Sequence, residues 1–215
     1  MKTQPVLIPC GPIKLEGIWH FHDEQTPRPC VVICHPHPQY GGNMHNGMVA
    51  AVCRELAARS INALRFNFRG TGESQGHFDD GTGEKEDVKA ALSMAASSPL
   101  VDGGKMGLCG YSFGAGIALS VAPLEAAVQA LAVISPPLFP HNWTDMKNYT
   151  RPRLFVTGTK DTIFPPGELK TMVSSLPPSA EYFSVEGADH YWSGFGDKAV
   201  KKIAEFFSGV FYENH

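Results

Sequence analysis

The 215-residue sequence is poor in charge: Asp, Glu, Lys and Arg together make up 18% of it, and the formal net charge is −3. No run of Lys or Arg exceeds two residues. The clustered positive charge of a nucleic-acid surface is therefore missing, and no nucleic-acid partner is expected. An uninterrupted apolar run of ~18 residues is missing too, so no membrane-spanning helix is expected. Residues 1–9 carry one Lys and then Pro5 and Pro9, with no apolar stretch of signal-peptide length behind them. A cytoplasmic protein is expected on that basis. Cysteine is scarce and odd in number: five, at Cys10, Cys30, Cys34, Cys53 and Cys109, without paired spacing. Three of them (Cys30, Cys34, Cys109) sit inside apolar, strand-like runs. Buried free thiols of a reducing compartment are expected rather than a disulfide framework.

Hydrophobic residues, in contrast, reach 43%. With this length they suffice for one full-sized core, and a single domain over 1–215 is expected. No internal repeat, low-complexity tract or linker interrupts the chain. Short apolar runs alternate with helical patterns throughout. Strands are predicted over 6–8 and 13–21, antiparallel across the Cys10-Gly11-Pro12 turn, and then over 30–34, 62–68, 106–109, 130–134, 153–157 and 181–185. The run CVVIC at 30–34 is continuously apolar, as a strand buried on both faces must be. Helices are predicted over 47–59, 84–96, 113–121, 166–176 and 199–210; Val49, Val52, Cys53 and Leu56 give the first its apolar face. This alternation predicts an α/β fold, a mostly parallel sheet of about eight strands with helices on both faces.

In such sheets the chemistry gathers at the carboxyl ends of the strands. Gly110-Tyr111-Ser112-Phe113-Gly114 matches G-x-S-x-G, a pattern that chance alone supplies in roughly one sequence in seven of this kind. Its position adds weight, because it lies between the predicted strand 106–109 and the helix 113–121. There a sharp turn presents a serine to the helix N-terminus, with free N–H groups and partial positive charge. A serine hydroxyl needs a base within hydrogen-bond reach. His190 lies in the loop after the last strand, and Asp161 at the end of the run beginning at Leu154, both again at carboxyl ends. Ser112, Asp161 and His190 thus form a candidate nucleophile, acid and base, in the chain order this architecture uses. Asp189 is a rival acid, but it adjoins His190 in a tight loop.

The sequence is similar to the α/β-hydrolase superfamily, and within it resembles small cap-less members related to dienelactone hydrolases and prokaryotic serine carboxylesterases. The similarity rests on CHPHPQYGG at 34–42, FNFRGTGESQG at 66–76, GYSFGAG at 110–116, GTKD at 158–161 and GADHYW at 187–192. It implies the α/β-hydrolase fold without a cap domain, and a serine hydrolase of small or medium carboxylic esters acting through an acyl-enzyme. Dienelactone hydrolases use a cysteine nucleophile; Ser112 here shifts the expectation to ester chemistry. Thioester or peptide cleavage by the same triad, or a silent hydrolase-fold binding protein, are the alternatives.

An oxyanion needs two N–H donors. The first is expected from Phe113, after the nucleophile. The second is expected from the loop after strand 30–34, where Pro36 and Pro38 have no N–H to give. His37 is the leading candidate, with Gln39 and Tyr40 behind it; similar hydrolases place the donor two positions beyond the leading histidine. The H-x-H pair His35 and His37, with His45, lacks a carboxylate or cysteine set to complete a metal site. His35 is expected to bond backbone instead, and no metal or cofactor is expected. Gly70, Gly72 and Gly76 do not have dinucleotide-loop spacing. Arg69 and Glu73 are expected to brace that loop, with Ser74 or Asp87 pairing locally. The connection 136–152, carrying Phe139, Trp143, Met146 and Tyr149, is too short for a cap. It is expected to line a substrate pocket through Trp143, together with Tyr40, Phe78, Phe164 and Trp192. Phe206, Phe207, Phe211 and Tyr212 fit either an exposed self-association surface or core packing, so monomer and homodimer both stay open.

Overall fold

The computed structural model describes residues 2–22, 26–138, 143–178 and 180–213. Its frame is one eight-stranded sheet in the order β1-β2-β4-β3-β5-β6-β7-β8. Strands β1 (Lys2–Cys10) and β2 (Ile13–Phe21) form an antiparallel hairpin, and β2 pairs antiparallel with β4 (Asn62–Phe66). From β4 the sheet is parallel through β3 (Arg28–Cys34), β5 (Val101–Tyr111), β6 (Val128–Ile134), β7 (Arg153–Gly158) and β8 (Ala180–Val185). The mostly parallel α/β sheet of about eight strands predicted from the alternation is therefore the observed one.

The central strands are apolar on both faces because both are covered. Helices α2 (Thr82–Ser97), α3 (Phe113–Val121) and α4 (Pro166–Ser174) pack one face through Val88, Leu92, Ala118, Leu119 and Leu169. Helices α1 (Gly47–Ala58) and α5 (Gly196–Ser208) pack the other through Val52, Leu56, Ile203 and Phe207. All five cysteines are buried and free. Among the described residues no helix is long and apolar enough to cross a membrane.

Where boundaries differ from expectation, polar contacts explain it. Helix α2 starts at Thr82, ahead of Glu84, because the Glu84 carboxylate accepts the N–H groups of Asp79 and Gly81 and so caps the first turn. Strand β5 starts at Val101, ahead of 106, because Val101 already pairs with Arg28 before a register shift. The C-terminal aromatics belong to the core: Phe206, Phe207 and Phe211 are buried, and a Cβ at Gly107 would lie 2.5 Å from the Phe207 ring. Only Tyr212 of that run is exposed, and its hydroxyl donates to the Ser60 carbonyl at 2.6 Å.

The loop after β4 is braced as its sequence suggested, with one exception. Arg69 binds Asp87 through its Nε and Nη2 at 3.0 and 2.8 Å, and the Arg69 N–H donates to the same carboxylate. The Ser74 hydroxyl donates to the Asn67 carbonyl at 2.7 Å. Glu73 contributes its backbone instead of its side chain: its N–H donates to Glu16 Oε2 at 3.0 Å, and the residue itself is exposed.

Candidate active site

The turn from β5 into α3 holds Ser112 at φ 54 and ψ −117, a left-handed conformation that L-residues avoid. Two glycines make the turn possible. A Cβ at Gly110 would overlap the Gly114 carbonyl, and one at Gly114 would lie 2.5 Å from the His35 carbonyl oxygen. Strand β5, helix α3 and the loop after β3 therefore touch backbone to backbone. The Ser112 N–H donates to the Ile134 carbonyl at 2.9 Å, and the Ser112 carbonyl accepts from Ala115 and Gly116. These bonds offset strain of about 1–3 kcal/mol.

Around that serine the three predicted residues converge. Ser112 Oγ lies 3.0 Å from His190 Nε2, and His190 Nδ1 lies 2.9 Å from Asp161 Oδ2. Ionised Asp161 can only accept, so Nδ1 carries the proton and Nε2 is left to accept from the serine hydroxyl. The other carboxylate oxygen of Asp161 accepts the N–H groups of Ile163 and Phe164 at 3.0 and 2.9 Å. Burial pushes Asp161 up, but hydrogen bonds from His190 and Phe164, the charge on His190 and the Ser135 hydroxyl outweigh it and hold it below the ordinary carboxylate value. Asp189 is engaged elsewhere, accepting the Tyr191 N–H at 3.0 Å. The histidine loop is pinned by Tyr111, whose buried hydroxyl donates to the His190 carbonyl at 2.7 Å.

The two N–H groups expected to serve an oxyanion lie at the start of α3 and in the loop after β3. Phe113 is the first residue of α3, and its N–H has no acceptor among the described residues. In the loop after β3, the Gln39 N–H donates to His37 Nδ1 and the Tyr40 N–H to the His37 carbonyl. The His37 N–H has no acceptor among the described residues. His35 fixes the base of this loop. It accepts the Phe68 N–H at Nε2 (3.0 Å), so Nδ1 carries the proton and donates to the Pro36 carbonyl at 2.6 Å. Burial lowers its pKa to about 4, and both ring nitrogens are occupied. Among the described residues no group of three or more His, Cys, Asp or Glu is placed to hold a metal ion.

The family described as serine aminopeptidase, S33, matches residues 25–146, more than half of the chain. The chain belongs to this hydrolase family. An uncharacterized protein of Rickettsia prowazekii is 30% identical over 187 residues, covering 83% of this chain and 78% of that protein. An alpha-beta serine hydrolase homologue from Coxiella burnetii is 31% identical with a TM-score of 0.86, over 95% of this chain and 97% of its own. A serine hydrolase without a lid from Xanthomonas campestris shares the fold at 24% identity and a TM-score of 0.86, over 100% of this chain and 98% of its own. The hydrolase is thus an α/β-hydrolase with the cap-less build that the sequence resembles.

Ser112 and His190 of the hydrolase open into a cleft of about 840 Å³. Tyr40, Phe78 and Phe164 line it, and Ile163 and Tyr191 add an apolar rim. The ring of His37 packs against Tyr40, Phe78 and Phe113 at centroid distances of 4.7, 5.1 and 4.8 Å. The two tryptophans expected there lie elsewhere. Trp143 is 5% exposed, stacks on Phe155 at 5.3 Å and donates its indole N–H to the Pro137 carbonyl. Its segment folds down onto the sheet, burying Met146 and Tyr149 as well, because these apolar side chains leave water by joining the core on that face. Phe139 lies outside the described residues. Trp192 is 4% exposed and sits in the core with its indole N–H 3.3 Å from Ser135 Oγ. Tyr111 and Ser135 are contributors that sequence reasoning missed. Their signal was position alone, at the carboxyl ends of β5 and β6 beside the nucleophile and the acid.

Proposed function

We propose that the hydrolase cleaves small or medium carboxylic esters through an acyl-enzyme, with Ser112 as nucleophile, His190 as general base and Asp161 behind it. The observation that carries this reading is the hydrogen-bonded line from Ser112 through His190 to Asp161, at 3.0 and 2.9 Å, set on a strained strand–helix turn. His190 Nε2 takes the hydroxyl proton as Ser112 Oγ bonds the ester carbonyl carbon. Negative charge builds on the carbonyl oxygen, where the Phe113 and His37 N–H groups meet it; one such donor contributes about 3–4 kcal/mol. Collapse expels the alcohol, which leaves with the proton returned by His190, and the acyl group stays on Ser112. Water then repeats the sequence and releases the acid. Every step uses protein groups and water, so no cofactor is called for.

The substrate class follows from the cleft. Its walls near Ser112 are aromatic and aliphatic, which suits an acyl chain, and its volume admits a small to medium ester. Peptide cleavage is the second reading, favoured by the family's description. An aminopeptidase must hold a substrate ammonium against negative charge, yet the cleft wall carries Lys85 as well as Asp80. The test is a turnover panel of p-nitrophenyl esters from acetyl to decanoyl, a matching thioester and an aminoacyl anilide. The account expects kcat/KM for the best ester to exceed that for the anilide by about 100-fold or more. An anilide turned over as fast as the esters would transfer the assignment to peptidase.

A further inference from the structure

Between the nucleophile strand β5 and the acid strand β7 lies β6, which supplies no member of the triad. Its carboxyl end nevertheless shows unusual local structure. Ser135, the residue after β6, is fully buried and held at φ 44, while its N–H donates to the Val156 carbonyl of β7 at 2.8 Å. Trp192, two residues beyond His190, is buried at φ 62. The two meet side chain to side chain, with the Trp192 indole N–H donating to Ser135 Oγ at 3.3 Å. Two non-glycine residues in the left-handed region cost about 1–3 kcal/mol each. Simple packing of a serine and a tryptophan requires neither conformation.

We propose that Trp192 and Ser135 are positioning residues that act through Asp161: the indole N–H occupies the serine oxygen and turns its hydroxyl proton onto the carboxylate. The inference rests on the hydrolase reading above. An indole can only donate, so a serine oxygen that accepts from it keeps its own proton free for a further acceptor. The Asp161 carboxylate, bound by the His190 ring two residues before Trp192, is the recipient we infer for that proton, and the lowered pKa of Asp161 agrees with it. With Ile163, Phe164 and His190 already bound, this contact would complete a four-point hold on Asp161. It would also tie the histidine loop to the sheet, since Trp192 and His190 share one turn. Among the described residues, Tyr111 also feels the Asp161 charge, and burial pushes its phenol up so that it stays neutral.

Ser135→Gly isolates the hydroxyl, because glycine accepts φ 44 without strain. Trp192→Phe removes the indole N–H and keeps an aromatic ring. Both variants and their double would be compared with wild type by kcat, KM, pH–rate profile and thermal melting on one p-nitrophenyl ester. We expect Ser135→Gly to lower kcat about tenfold with KM within about twofold. We also expect it to move the acidic limb of the profile upward, since an undiluted carboxylate charge favours protonated imidazole. Trp192→Phe should move both in the same direction, and the double variant should lose no more than Ser135→Gly alone. A wild-type kcat and profile in Ser135→Gly, or additive losses in the double, overturns the proposal. If one variant fails to fold, the other decides; failure of both would leave the pair a stabilising role only, which also overturns it. Fluorophosphonate labelling of wild-type Ser112 separates the two readings. No labelling sinks the hydrolase reading itself, whereas labelling with an unaltered Ser135→Gly sinks only this inference.

Discussion

Replacing His190 by alanine is expected to lower kcat on an activated ester by about 10⁵–10⁶-fold, and Ser112→Ala by the same amount. The two losses match because each removes the same event: without the base at 3.0 Å the hydroxyl keeps its proton, and without the hydroxyl the base has nothing to deprotonate. The double variant should therefore be no worse than either single one. Asp161→Asn should cost about 10⁴-fold. An asparagine amide can donate to Nδ1, which would move the ring proton to Nε2 and turn an acceptor into a donor facing the serine. Residual activity should survive in all three, since the proposed oxyanion donors, the Phe113 and His37 N–H groups, are left untouched. Single-turnover kinetics with an activated ester would show this as loss of the acylation burst. A His190→Ala enzyme that keeps its burst within about tenfold of wild type would mean another group activates Ser112.

The second large effect is structural. Gly114→Ala should destabilise the protein by about 3 kcal/mol or more and abolish activity in what still folds. Alanine is the better helix former, by up to about 1 kcal/mol, so propensity alone predicts stabilisation. Geometry overrides it: the added Cβ would sit 2.5 and 2.6 Å from the carbonyl oxygens of His35 and Cys34, and neither backbone can swing aside. Relief requires α3 to lift away from the loop after β3. That motion separates the two N–H donors, because Phe113 rides on α3 and His37 on the loop. Gly167→Ala in α4 is the control, since a Cβ there meets nothing within 4 Å; it should be neutral or slightly stabilising. Urea denaturation of both variants checks the pair. A Gly114→Ala protein as stable as Gly167→Ala would remove the close-approach explanation of the turn.

The candidate triad was legible because each member follows a strand whose apolar run is unmistakable, and helix α3 has the predicted bounds because the glycine-flanked serine marks its start. His37 was singled out among the candidate loop donors by the prolines and the family resemblance, with Gln39 and Tyr40 behind it; the structure adds that the Gln39 and Tyr40 N–H groups bond within the loop. The tryptophans were not legible for a different reason. Nothing local distinguishes an aromatic side chain in a loop that folds down over the sheet from one that faces a cleft. Trp143 turned inward because Phe155 and the surrounding face needed cover, which is a property of the tertiary fold. Ser135 was hidden more deeply, since its left-handed backbone and its contact with Trp192 join residues far apart in the chain. The start of β5 was not legible because Gly103 and Gly104 are poor strand formers, and only the pairing of Val101 with Arg28 of β3 brings them into the strand.

The central claim, that Ser112 is activated by His190, is tested most directly by covalent labelling. Wild type and His190→Ala would each be treated with a fluorophosphonate and analysed by intact mass and peptide mapping. The account predicts one label per wild-type chain, on the peptide carrying Ser112, and a labelling rate that collapses in the variant. A well-folded wild type that takes no label, or a variant labelled as fast as wild type, would contradict it.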